Sequence, residues 1–299
     1  MQDYVAVVGA VNMDVGGRPF APLIARDSNP GAVSLSPGGV GRNIAHNLRL
    51  LDVPVVFLTA LGEDVFSFAV ERGCAVLDID LSRALRVPGG STSVYLYISD
   101  PGGDMALAVS DTAIARHISP EYLERVRDTL DSAALVIADG NLEKASIDWL
   151  GENCQVPLFA DPVSVRKAER FRNVLPRLHS FKPNLLEAEL LTGESEPERA
   201  AAALLHSGVG RVFLSLGENG LLAAEGSRRV RLPNIPGKLV NTTGAGDAMT
   251  AALARAYLDG LDLEQSARLA LAAAAISIES DESVNPAARL AAVRARAAI

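Results

Sequence analysis

Hydrophobic and polar residues along this chain follow two rhythms. Residues 4–8 (YVAVV) form a short, β-branched apolar run that stops at Gly9, the pattern of a strand buried on both faces. Residues 18–36 carry three prolines and mixed polarity, so extended chain and loops are expected there. From 40 to 51, Val40, Ile44, Leu48 and Leu51 fall on one helical face. Residues 55–61 (VVFLTAL) read as a second buried strand. Two β-like runs at 93–98 and 105–110 flank Asp100-Pro101-Gly102-Gly103-Asp104, a turn sequence, and so read as a hairpin. Beyond it the rhythm changes. Strands are expected at 135–138, 158–160 and 212–216, and helices at 120–130, 143–153, 187–191, 197–206, 248–258 and 263–278.

Strand alternating with helix predicts an α/β fold: a mostly parallel central sheet covered on both faces, with ligands at the carboxyl ends of its strands. The β-rich segments at about 15–36 and 91–112 break that rhythm and would form a small lid over the site. No repeat, low-complexity tract or linker divides the chain, so residues 1–299 read as a single domain.

Composition narrows the class. The chain has 299 residues, of which 48% are hydrophobic and 21% charged, enough for a substantial core and unlike a disordered chain. A net charge of −8 argues against broad contact with nucleic-acid backbones or anionic membranes. Cys74 and Cys154 stand far apart with no CxxC pair, and His46, His117, His179 and His206 show no metal-ligand spacing. Two reduced thiols and the lack of a signal-peptide pattern suit a cytoplasmic protein. The alanine-rich run 269–278 is short and flanked by Arg268 and Glu279, so it reads as a buried helix.

Chemistry concentrates at Asn241-Thr242-Thr243-Gly244-Ala245-Gly246-Asp247, followed at once by a small-residue helix. The glycines let backbone N–H groups approach a ligand, and the helix N-terminus adds unpaired donors and partial positive charge. Asp247 in the first turn would face a ligand hydroxyl. Donors that absorb charge on a moving phosphoryl, beside a base for the hydroxyl proton, are what phosphoryl transfer needs. A glycine loop with an acidic helix cap has the same local description.

In this stretch the chain resembles the PfkB, or ribokinase-like, family, whose signature is D-T-T-G-A-G-D; here Asn241 replaces the first Asp. Four further segments match in the family's order. Gly38-Gly39-Val40-Gly41-Arg42-Asn43 resembles its G-G-x-G-x-N pattern, and Asn12-Met13-Asp14 its sugar-gripping N-x-D. Asn184-Leu185-Leu186-Glu187 resembles the segment that helps hold Mg²⁺ and the phosphates. Ser215-Leu216-Gly217-Glu218-Asn219-Gly220 resembles the turn lining the nucleotide. Singly, each is also a strand end, a turn or a helix cap; together they run from residue 9 to 247. A P-loop, a GxGxxG after the first strand and a GxSxG are all absent.

The resemblance implies a ribokinase-like three-layer α/β/α fold with a small β-sheet lid, and transfer of the γ-phosphoryl of ATP to a sugar or nucleoside hydroxyl. Asp247 would be the base, with Gly244, Ala245 and Gly246 as the anion hole. Asn12, Asp14, Gly38, Gly39 and Asn43 would grip a ribose diol, the two oxygens of Asp14 suiting two hydroxyls. Asn184, Ser215, Gly217 and Gly220, with Gly244 and Gly246, would line ATP, and Glu187 would position Mg²⁺ through water. A K⁺ site beside the anion hole would lose a charge at Asn241. Asp27-Ser28-Asn29-Pro30-Gly31, the 36–48 motif and Asp161-Pro162-Val163-Ser164 with Lys167 look most like pseudouridine kinases. Ser28 and Asn29 would then contact the uracil edge, and Lys167 base or phosphate. Other acceptors (adenosine, inosine, cytidine, ribose) and a non-catalytic nucleoside-binding regulator remain open. Alternating apolar residues of the lid (Val94, Leu96, Ile98, Leu107, Val109) suggest a homodimer through the lid strands.

Overall fold

A computed structural model describes residues 4–299. Val5–Val8 is buried at every position and runs parallel to Val55–Leu58 on one side and Leu135–Asp139 on the other. The chain builds outward from it in both directions. Ile79–Asp80 joins beyond Val55–Leu58; Leu158–Asp161, Leu178–Phe181 and Arg211–Ser215 extend the other flank, all parallel. Leu221–Glu225 and Arg228–Leu232 close that edge in antiparallel fashion. The strand order therefore reverses between Val5–Val8 and Leu135–Asp139, and a cleft opens at their carboxyl ends.

Strand alternation sorts the core into two halves. Val5, Val7, Leu135 and Ile137 face one cluster, covered by the helices Val40–Leu50, Ala245–Leu258 and Leu263–Ser277. Ala6, Val8, Val136 and Ala138 face the other, covered by Lys144–Asn153, Leu185–Thr192 and Pro197–His206. The result is the expected three-layer α/β/α fold. Among the described residues no helix is long and apolar enough to cross a membrane.

A second, four-stranded sheet stands at the cleft, in the order Gly31–Gly38, Asn12–Pro19, Val94–Ser99, Met105–Asp111. The extended chain and loops expected over 18–36 resolve into a hairpin, in which Asn12–Pro19 pairs with Gly31–Gly38 and residues 20–30 form the connecting loop. Pro37 lies in Gly31–Gly38, which is an edge strand and tolerates a missing donor, while Pro22 and Pro30 belong to the connecting loop. The expected 120–130 helix breaks at Val126, and 55–61 divides between the large sheet and a two-stranded pairing of Ala60–Leu61 with Leu85–Arg86. The strands Leu178–Phe181 and Arg228–Leu232 carry too little apolar pattern to be visible beforehand, and Leu221–Glu225 is a short apolar run that the sequence reading passes over. His179, for one, is half-buried and stacks on Phe159, with centroids 5.2 Å apart.

Candidate active site

Parallel strands deliver one polar residue each to the cleft. Asp139 and Asp161 end neighbouring strands in register with one another, and Lys182 follows the next strand. Asn184 bridges to Ser215 at the end of the one after. A Cβ on Gly9 would overlap Asp139 Oδ2, so glycine is required where the first strand ends. Asp139 is fully buried and accepts from the N–H groups of Ala10 and Asn141; burial pushes its carboxyl up to about 6.

The Ala245–Leu258 helix enters the same space. Gly244, with φ at +83°, begins it, and a Cβ there would overlap the Ser283 carbonyl. Among the described residues the N–H groups of Gly244, Gly246 and Asp247 have no backbone acceptor, while Ala245 makes a long 3.4 Å bond to Thr242. Asp247 is 8% exposed, and its Oδ2 accepts from Asn43 Nδ2 at 2.9 Å. That hydrogen bond joins motifs 204 residues apart. Burial, and then the Asp161 carboxylate, push Asp247 up to about 8, against Asn43 and Lys182.

Lys182 is the residue the sequence reading misses. Its Nζ lies 3.2 Å from Asp161 Oδ2, with both side chains buried. It also lies 3.1 Å from the position a Cβ on Gly246 would take, which puts the ammonium beside the helix N-terminus. Burial works against its charge, but Asp161, Glu187 and Asp247 outweigh burial and hold its pKa raised. Thr250 fixes Asp161 from the helix side through a 2.8 Å hydrogen bond. Glu187 is buried and locked in a reciprocal cap: Asn184 N–H donates to its Oε2 at 2.8 Å, and its own N–H donates to Asn184 Oδ1 at 2.9 Å. Burial pushes the Glu187 carboxyl up as well. The only signal for Lys182 in the sequence is its place two residues before the Asn184 motif, in a Lys-Pro-Asn run.

At the lid base, Asn12 Nδ2 donates to Asp14 Oδ1 at 2.5 Å, and Asp14 Oδ2 lies where a Cβ on Gly38 would sit. Gly39, at φ +95°, packs 2.7 Å (as a hypothetical Cβ) from the Ala10 carbonyl. Asn12, Asp14, Gly38, Gly39 and Asn43 thus converge from three elements. The strand pairing aligns Asp14 with Ser36 and Tyr95, so Tyr95 and Tyr97 share its face of the lid, their rings 5.8 Å apart. On the opposite flank a cavity of about 280 Å³ is lined by Asn184, Leu186, Ser215, Leu216, Gly217 and Arg231. Gly220 lies just behind it, with φ at +88°.

Four expected residues stand apart. Ser28 is exposed on the lid loop, and Asn29 holds that loop by bonding to the backbone of Ile24 and Asp27. Lys167 donates to Asn141 Oδ1 at 2.6 Å, beside Asp139. Asn241 accepts from Thr243 N–H and donates to the Asp281 carbonyl.

Residues 2–289 match the family model described as pfkB family carbohydrate kinase. This chain belongs to that family. Its membership makes it a phosphotransferase with an alcohol acceptor. The chain is 36% identical to the pseudouridine kinase of Escherichia coli strain K12 over 95% of its own length and 93% of that protein. It is 26% identical to the Arabidopsis thaliana pseudouridine kinase, over 94% and 92%. A solved carbohydrate kinase from Agrobacterium tumefaciens superposes with a TM-score of 0.88 at 25% identity, covering 99% of this chain and 97% of that one.

Proposed function

We propose that this protein transfers the γ-phosphoryl of ATP to the 5′-hydroxyl of pseudouridine. The observation that carries the kinase chemistry is Asp247, buried at a glycine-led helix start and hydrogen-bonded to Asn43 of the acceptor motif. The two tyrosines beside Asp14 favour a nucleoside over a bare sugar, since they offer a base an aromatic platform. Similarity to a pseudouridine kinase over nearly the whole chain supports that choice of base.

Asp14 and Asn12 hold the ribose diol, and Gly38 and Gly39 let the sugar lie against backbone. Asp247 takes the proton of the 5′-hydroxyl as its oxygen attacks the γ-phosphorus, and ADP leaves with the β–γ bridging electrons. A pKa of about 8 keeps Asp247 poised near neutral pH for that transfer. The N–H groups of Gly244, Ala245 and Gly246 face the equatorial oxygens, and Lys182 adds a fixed positive charge beside them. Asn184, Ser215, Gly217 and Gly220 border the nucleotide. Ser28 contacts the uracil edge from the lid loop that Asn29 holds in shape, and Lys167 approaches from the Asp139 side.

Asp161, Glu187 and Asp247 surround a single lysine, and burial pushes two of these carboxyls up, so the donor set is short of positive charge. That deficit fits Mg²⁺, which Glu187 would hold through water. Mg²⁺ neutralises charge on the ATP phosphates when bound. Asn241, with no carboxylate and its amide engaged, favours a reaction independent of K⁺.

Residues 1–299 act as one domain with the second sheet as lid, and the outer lid face pairs two copies. On that face Leu35, Val15, Leu96 and Val109 form one cross-strand row, and Ile98 and Leu107 pair in the next. Leu35, Leu96, Leu107 and Val109 are exposed. Leu96→Glu should convert a dimer to monomer by light scattering; a monomeric wild type would overturn the pairing.

The test is ADP release with Mg²⁺ and ATP on pseudouridine, uridine, adenosine, inosine, cytidine and ribose. Strong turnover of pseudouridine with little of uridine is expected. Preference for another member keeps the kinase and removes pseudouridine.

A further inference from the structure

Arg42 lies inside the glycine-rich motif, yet none of the roles above uses it. Its residue surface is 9% exposed, and among the described residues its side chain forms no hydrogen bond and no ion pair. Nε is sealed from solvent without a partner. An unpaired buried guanidinium is among the costliest arrangements a fold can hold, so a site that keeps one implies a partner that arrives later.

The surroundings say where. One turn along the helix His46 is half-buried, with a sealed, unpartnered Nδ1; burial and then Arg42 push it down to about 4, so it stays neutral. Cys74, pushed up to about 11 by burial, is a neutral thiol. Glu282 is exposed on the loop after Leu263–Ser277, where water screens its charge. That leaves Asp14, whose Oδ2 lies where a Cβ on Gly38 would sit, in the same glycine turn as Arg42, and which is not paired with it. Asp14 Oδ1 is already held by Asn12. A carboxylate and a guanidinium gathered at one glycine turn without pairing leave room for a group that donates to one and accepts from the other. A secondary hydroxyl does both.

We propose that Arg42 is a substrate-binding, specificity-determining residue that donates to one hydroxyl of the acceptor's ribose diol while Asp14 accepts from that same hydroxyl. This rests on the proposed function for the identity of the acceptor. The diol is then held by opposite charges across one oxygen, and an acceptor lacking that oxygen leaves both charges unpaired. A nucleoside with the full diol is thereby separated from its deoxy counterpart.

The experiment compares wild type, Arg42→Met and Arg42→Lys on whichever of the six acceptors wild type turns over best, and on its 2′-deoxy and 3′-deoxy analogues. A hydrogen bond to a charged group corresponds to about 10- to 100-fold. Arg42→Met should lose about that factor in kcat/KM for the diol, mostly through KM, with KM for ATP unchanged. Wild type should lose a similar factor on one of the deoxy analogues, and Arg42→Met nothing further on it. Arg42→Lys, which keeps the charge without the fork, should fall between. If Arg42→Met matches wild type, or pays the deoxy loss in full on top of its own, Arg42 does not touch the diol. Should Arg42→Met fail to fold, equal KM for diol and deoxy acceptors in wild type, or an unchanged KM in Arg42→Lys, refutes the proposal. Activity on the diol with no Arg42 effect removes this proposal alone; no activity on any of the six removes the substrate reading and this proposal together.

Discussion

Replacing Asp247 by Asn separates the cost of this carboxyl from its use. In the folded chain Asp247 keeps its proton to about 8, against an ordinary 3.8. Between those values the folded state binds a proton that the unfolded chain has released, so stability falls as pH rises through the window. The slope is about 1.4 kcal/mol per pH unit. At pH 7, roughly three units above 3.8, the penalty is about 4 kcal/mol, and at pH 5 it is about 1.5 kcal/mol. Below pH 8 the wild-type carboxyl is neutral, so Asn keeps the same charge pattern and can still accept from Asn43. Urea unfolding of both proteins from pH 5 to 8.5 should therefore show the variant more stable, by a margin that widens with pH and levels off above about 8. Turnover of the same variant should fall about 10²- to 10⁴-fold, the usual contribution of a general base. Wild-type kcat/KM for the acceptor should rise with pH toward about 8. A stability margin that stays flat from pH 5 to 8 would refute the burial argument, and unaltered turnover would remove Asp247 from the base role.

The other predictions concern the groups around it. Lys182→Gln leaves Asp161 without its ion-pair partner and should destabilise the fold by about 3–5 kcal/mol in urea unfolding. It should also cut kcat by at least about 100-fold, because the charge beside the anion hole is gone; a variant with wild-type kcat would make Lys182 structural only. Gly244→Ala places a Cβ on the Ser283 carbonyl at a left-handed φ, and should lower stability by more than about 1 kcal/mol together with kcat. Normal kcat and Tm in that variant would show that the turn adapts. Asn241→Asp should introduce dependence on K⁺ over Na⁺ in the ADP-release assay; identical rates in both salts would show that the position does not set cation use.

What the sequence alone determines here is local. The apolar run at 4–8, the glycine turn at 244–246 and the alternation of strand and helix are patterns of a few neighbouring residues, and short-range sterics and periodicity suffice to read them. Five short motifs in order were enough to expect the fold and to place Asp247, Asn43, Asn12 and Asp14 at one cleft. The pairing of Asn12–Pro19 with Gly31–Gly38 was hidden because proline density describes a residue's own backbone, whereas tolerance of Pro37 depends on that strand lying at an edge. Lys182 and Asp161 could not be paired beforehand, since nothing in the chain between them says that their strands are neighbours in the sheet. The raised carboxyl of Asp247 arises from burial and from Asp161, 86 residues earlier in the sequence. Arg42 occupies a variable position of the G-G-x-G-x-N pattern, and only the packing around it shows that its Nε is sealed without a partner. Propensity is written in adjacent residues, but burial and charge pairing are properties of a neighbourhood, and only the tertiary structure assembles that neighbourhood.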